Sequence, residues 1–98
     1  MKKAPAWVLV KLKAFCKEHG FRVTAGSGGK HNVGSLHALW RAVDVRTRDK
    51  TDAEIEAFIQ AAKQAGYRVI DKRERPVGQE VWGGPHLHLE DRRRYADP

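Results

Sequence analysis

Two histidines separated by one residue, His86-Leu87-His88, open a run that continues Leu89-Glu90. On a β-strand alternate side chains share a face. His86, His88 and Glu90 then point one way, and Leu87 and Leu89 point toward a core. Two imidazoles on one rigid strand, ~7 Å apart by strand rise, suit one metal ligand and one neighbouring proton-transfer group. A pair of solvent-facing histidines is the plainer alternative. Upstream, His37 precedes a predicted strand in which Asp44 stands between Val43 and Val45. A carboxylate in that apolar setting is costly to desolvate unless it is paired or bound to a cation. The alternative to a metal is a salt bridge to Arg41, Arg46 or a lysine. His37, Asp44 and one histidine of the last strand make a two-nitrogen, one-oxygen set. That is the composition of a catalytic zinc site whose fourth position is open to water.

These residues need a scaffold. Residues 5–19 predict a helix: Pro5 suits its first turn, Val8, Leu12, Phe15 and Cys16 recur at helical spacing, and Gly20 stops it. Cys16 falls on the buried face, where a thiol serves as a small hydrophobe rather than a nucleophile. Residues 21–25 alternate as a short strand, and 41–47 form a second, with Ala42, Asp44 and Arg46 on one face and Val43 and Val45 on the other. Residues 52–65 predict the clearest helix, with Thr51 and Glu54 as a capping box, Ile55, Phe58, Ile59 and Ala62 as its apolar face and Gly66 as its end. Residues 67–71 read as a strand, 80–82 as a strand piece, and 86–90 as the last strand. The expected fold is α+β: a small, largely antiparallel sheet of about four strands with two helices packed on it. The domain is expected over 1–90, followed by a basic, flexible tail over 91–98 that contains Arg92-Arg93-Arg94.

Ninety-eight residues allow one domain. One cysteine excludes an intrachain disulfide framework and any cysteine-rich zinc module. The formal charge of +7 favours a polyanionic partner: nucleic acid, anionic lipid or an anionic wall polymer. No predicted helix has a DNA-recognition pattern and no RNA-stacking motif is present, which argues against nucleic acid. The Gly26–Gly34 loop lacks P-loop spacing. Met1-Lys2-Lys3 has the basic character of a secretory start, but Lys11 and Lys13 interrupt any apolar region. The expectation is synthesis in the cytoplasm without a signal peptide or membrane span.

The segment Ser35-Leu36-His37-Ala38-Leu39-Trp40-Arg41-Ala42-Val43-Asp44 resembles the first motif of the zinc D-Ala-D-Ala carboxypeptidases, which runs Ser-x-His, then Gly, then Ala-x-Asp. His86-Leu87-His88 resembles the second motif of the same superfamily, which also holds the lysostaphin-type peptidases and the hedgehog signalling domain. The run from Lys30 to His37 is similar to small bacterial and phage members. The resemblance spans about residues 23–90. It implies His37, Asp44 and His88 as ligands of Zn2+, and His86 beside the metal as a catalytic group. It also implies a carboxylate upstream of the last ligand as general base, best matched by Glu80. Glu90 would orient a ligand, Lys30 would hold a substrate carboxylate or carbonyl, and Ser35 would supply a local hydrogen bond. His31 and Trp82 are candidate edges of the substrate cleft. One position departs from the motif: Trp40 stands where the family has Gly. If that position needs a positive φ, Trp40 strains the turn.

The resemblance implies a zinc-dependent peptidase that hydrolyses peptidoglycan stem peptides by metal-activated water. It would be a carboxypeptidase or an endopeptidase, endolysin-like, monomeric, and acting on the wall after phage lysis or from a virion. Its basic surface would add affinity for anionic wall polymers. The rival readings are a hedgehog-like metal-binding module without hydrolytic activity and a basic nucleic-acid or wall-polymer binder.

Overall fold

The computed structural model describes residues 2–26, 36–37, 39–74, 77–78 and 84–95. Among them the order is α1 (Ala6–Glu18), β1 (Val23–Ala25), β2 (Ala42–Arg46), α2 (Asp52–Gln64), β3 (Arg68–Lys72) and β4 (His86–Glu90). The strands form one sheet in the order β1-β2-β4-β3, every neighbouring pair antiparallel. The α+β expectation therefore holds, with the last strand of the chain in the middle of the sheet.

The alternation of β2 and β4 divides the sheet into two unlike faces. Val43, Val45, Leu87 and Leu89 are fully buried against Leu9, Leu12 and Cys16 of α1 and Ile55, Phe58, Ile59 and Ala62 of α2. Asp44, Arg46, His86, His88 and Glu90 occupy the opposite face, as period-two geometry requires. Both helices thus cover one face, and the polar face is left for chemistry. Phe21 stacks on Phe58 at 4.1 Å and Phe15 meets Tyr67 edge-on at 5.2 Å, so an aromatic cluster ties the two helices together. Burial pushes the Cys16 thiol up to about 12, which keeps it protonated and inert at neutral pH. Thr51 and Glu54 form the expected capping box on α2.

Both helices end in the same way. After α1, the Gly20 N–H donates to Lys17 O and the Phe21 N–H to Cys16 O; after α2, Gly66 donates to Lys63 O and Tyr67 to Ala62 O. Each glycine has a positive φ, 78° and 90°. These are Schellman closures. They explain why β1 and β3 start later than the expected 21 and 67: Phe21 and Tyr67 complete the helix caps and drop into the core before each strand begins.

Residues 91–95 pack onto the domain. Asp91 is buried. Its N–H donates to Arg41 O at 2.7 Å, and its carboxylate accepts from the Arg93 side chain and the Tyr95 hydroxyl. Buried Arg41 donates to the carbonyls of Lys2, Asp91 and Arg93, which ties both of these segments to the start of β2. Tyr95 meets Trp7 edge-on. Composition suggested fraying, but the buried guanidinium at Arg41 needs these carbonyl acceptors.

Candidate metal centre

His37 sits in the turn that leads into β2, and the turn repeats the geometry of the helix ends. The Trp40 N–H donates to His37 O at 3.1 Å and the Arg41 N–H to Leu36 O at 2.9 Å. Trp40 takes the left-handed position with φ 62°. That conformation favours glycine, and here it is imposed on tryptophan. Trp40 packs partly against the core, with Lys3 Nζ 4.3 Å from its ring centroid. The Ala4 N–H donates to Leu39 O and pins the turn from outside.

Strand register brings the remaining groups to His37. Asp44 of β2 lies directly opposite His88 of β4. Three atoms converge: Asp44 Oδ1 is 2.8 Å from His88 Nδ1 and 3.3 Å from His37 Nε2, and the two nitrogens are 3.2 Å apart. All three residues are largely buried.

Proton accounting shows what this triangle needs. His37 Nδ1 faces Gly26 O at 3.2 Å. A carbonyl only accepts, so in the neutral ring Nδ1 holds the proton and Nε2 presents a lone pair. His88 Nε2 faces Glu90 Oε1 at 2.9 Å. With its one proton on Nε2, a neutral His88 also presents a lone pair, from Nδ1, to the centre. In that tautomer two lone pairs and a carboxylate oxygen meet at 2.8–3.3 Å, and either a metal ion or a proton on one imidazole shared with Asp44 must join them. Tetrahedral N and O donors ~2.0–2.1 Å from zinc stand ~3.3–3.4 Å from each other. The observed spacing fits such a set, slightly contracted, so His37, Asp44 and His88 can hold a metal ion.

The three groups are also coupled electrostatically. Burial would push the His37 imidazole down, but the Asp44 carboxylate beside it outweighs burial and holds it above its ordinary value. Burial would push Asp44 up, but His37 and His88 hold it well below the usual carboxylate range, so it stays ionised. Glu90 is buried and also kept low, by Arg92 and His88 against its own desolvation. Its bond to His88 is the outer-shell support that metal-ligating imidazoles characteristically receive.

His86 stands one step along the same face. Its Nδ1 lies 2.8 Å from Gly84 O, so Nδ1 donates and Nε2 is left as an acceptor. Asp44 and His86 line one cleft together with Thr24, Ala25, Arg46 and Arg48. Glu80, Lys30, Ser35, His31 and Trp82 lie outside the described residues. The sequence reading overlooked Arg46 and Arg48 as cleft residues; the alternation that puts Arg46 on the face of Asp44 was the available signal. Among the described residues no helix is long and apolar enough to cross a membrane. Compared with known protein families, curated proteins and solved structures, the chain matches none.

Proposed function

We propose that this chain is a zinc-dependent peptidase acting on peptidoglycan stem peptides. The convergence of His37 Nε2, Asp44 Oδ1 and His88 Nδ1 within 3.3 Å of one another supports this reading most directly. The Ser-x-His, Ala-x-Asp and His-x-His motifs that carry those residues supply the reaction class. Zinc would polarise the scissile carbonyl and lower the pKa of water toward ~7. In this reading His37 Nε2, Asp44 Oδ1 and His88 Nδ1 are the protein's ligands. Glu90 holds the His88 ring and keeps its Nδ1 lone pair available.

His86 is oriented for proton transfer. The bond from Nδ1 to Gly84 O sets its tautomer, and Nε2 takes the proton of the attacking water. In hydrolysis the amide C–N bond breaks, the water oxygen ends on the carbonyl carbon, and that proton ends on the departing amine. Glu80 is the alternative base named by the motif resemblance.

The test is elemental analysis of the purified protein. About one zinc per wild-type chain is expected, lost in His37→Ala, Asp44→Ala and His88→Ala. Glu90→Gln should keep the site but weaken zinc binding about 10–100-fold. Chelator-sensitive cleavage of peptidoglycan, lost in His86→Ala or Glu80→Ala, would complete the assignment. Zinc uptake without cleavage would make the chain a metal-binding module. No stoichiometric zinc after reconstitution would overturn the reading.

A further inference from the structure

The outer face of α1 brings apolar and cationic side chains together at the surface. Its inner face buries Val8, Leu9, Leu12 and Cys16. A helix that packs on one side needs only polar groups on the other. On α1, however, Trp7 is 53% exposed and Val10 is 66% exposed. Trp7, Val10 and Ala14 recur at spacings of three and four, so they form one exposed stripe along the helix. Tyr95 widens it: its ring meets Trp7 edge-on, with centroids 5.1 Å apart.

Cations border the stripe. At about 100° per residue, Lys11 falls on one side of it and Lys13 and Lys17 on the other. All three are exposed, and among the described residues no carboxylate is paired with them. Glu18 is the one acidic residue of α1.

This combination selects the partner. A bare polyanion, such as a nucleic acid or a charged polymer, would use the lysines and leave Trp7 and Val10 in water. A second copy of this chain would cover the stripe, but would set the lysines of one copy against those of the other, with only Glu18 to offset them. An anionic lipid surface takes both features. Indole and valine enter the boundary between headgroups and acyl chains, where the indole N–H stays wet, and the ammonium groups meet headgroup phosphates. The helix has 13 residues, too few to cross a bilayer, so it would lie in the plane of the surface.

We propose that the outer face of α1, centred on Trp7 and Val10 and bordered by Lys11, Lys13 and Lys17, docks this chain on anionic lipid. Because α1 packs on the face of the sheet opposite Asp44, His86 and His88, docking turns the metal centre away from the lipid. The proposal does not rest on the peptidase reading, and zinc plays no part in its test.

The experiment is co-sedimentation of the full chain with vesicles at about 0.1 M salt. Vesicles of equimolar phosphatidylglycerol and phosphatidylcholine should bind about tenfold or more tightly than vesicles of phosphatidylcholine alone. Lys11→Gln and Lys17→Gln should each weaken binding about fivefold. Trp7→Ala combined with Val10→Ser should weaken it about tenfold or more. Lys72→Gln, on the opposite face of the sheet, should leave it unchanged. Anionic vesicles with brominated acyl chains should quench tryptophan emission, and Trp7→Phe should remove most of that quenching while the chain still binds. Equal binding to the two vesicle types, no binding to either, quenching that survives Trp7→Phe, or binding indifferent to the Trp7→Ala, Val10→Ser pair would each overturn the proposal. A stable dimer in sedimentation equilibrium that the same pair abolishes would assign the stripe to a second copy instead.

Discussion

At Trp40 a bulky side chain occupies a backbone position that Gly20 and Gly66 hold in the two otherwise equivalent turns. A left-handed φ costs a non-glycine residue about 1–2 kcal/mol. Half-burial of the indole against the core returns a similar amount, about 2 kcal/mol. The two effects can be separated. Trp40→Ala loses the ring and keeps the strain, whereas Trp40→Gly loses the ring and relieves the strain. The glycine variant should therefore be the more stable of the two by about 1 kcal/mol in urea unfolding, reversing the usual order of these residues. An alanine variant as stable as the glycine variant would show that φ at this position carries no penalty. The same comparison bears on the site, because His37 rides on this turn.

At the scale of elements, α2 is the best-specified part of the chain. Its cap, apolar stripe and stop are all local, and all of them form as expected. Thr51→Ala removes the hydroxyl that accepts from the Glu54 N–H at 3.1 Å. The loss should be about 1 kcal/mol of stability with no change in zinc affinity, since α2 packs on the face opposite the ligands. A thermal melt and a zinc titration of the same variant check both halves. The strands were less legible. Their cores were recognisable from alternation, but β1 and β3 begin late because Phe21 and Tyr67 close the preceding helices. Helix-capping geometry at a glycine overrode the strand pattern of the residue after it.

At the scale of the whole molecule, the segments at Lys2 and at 91–93 meet at Arg41. Arg41 is 3% exposed and gathers carbonyls from Lys2, Asp91 and Arg93. Asp91 fixes the returning segment. Its burial raises its pKa, but the Arg93 guanidinium and Tyr95 hydroxyl outweigh this and hold the carboxyl below its ordinary value. A lowered carboxylate pKa contributes stability above the unfolded value, and that contribution is lost as pH falls through the folded value. Asp91→Asn should therefore cost about 1–2 kcal/mol at neutral pH, with the gap to wild type closing as pH falls below the ordinary carboxylate range. Urea unfolding at neutral and acid pH measures this. An equal gap at both would show that the charge of Asp91 is not what holds the segment.

Sequence alone determined the fold class, the membership of both helices, and His37, Asp44 and one histidine of the last strand as a candidate ligand set. Each follows from local chemistry: a hydrophobic period, a capping pair, or a carboxylate and imidazoles where apolar residues would otherwise stand. Tertiary structure decided what no local pattern contains. It placed β4 between β2 and β3, which sets Asp44 opposite His88 and His86 between Lys72 and Arg46. It chose His88 over His86 for the triangle, and it brought residues 91–95 back onto Arg41. The reason is strand pairing. Register is a relation between segments distant in the chain, set by burying Val43, Val45, Leu87 and Leu89 together. Only when those four side chains share one core do the residues between them share one site.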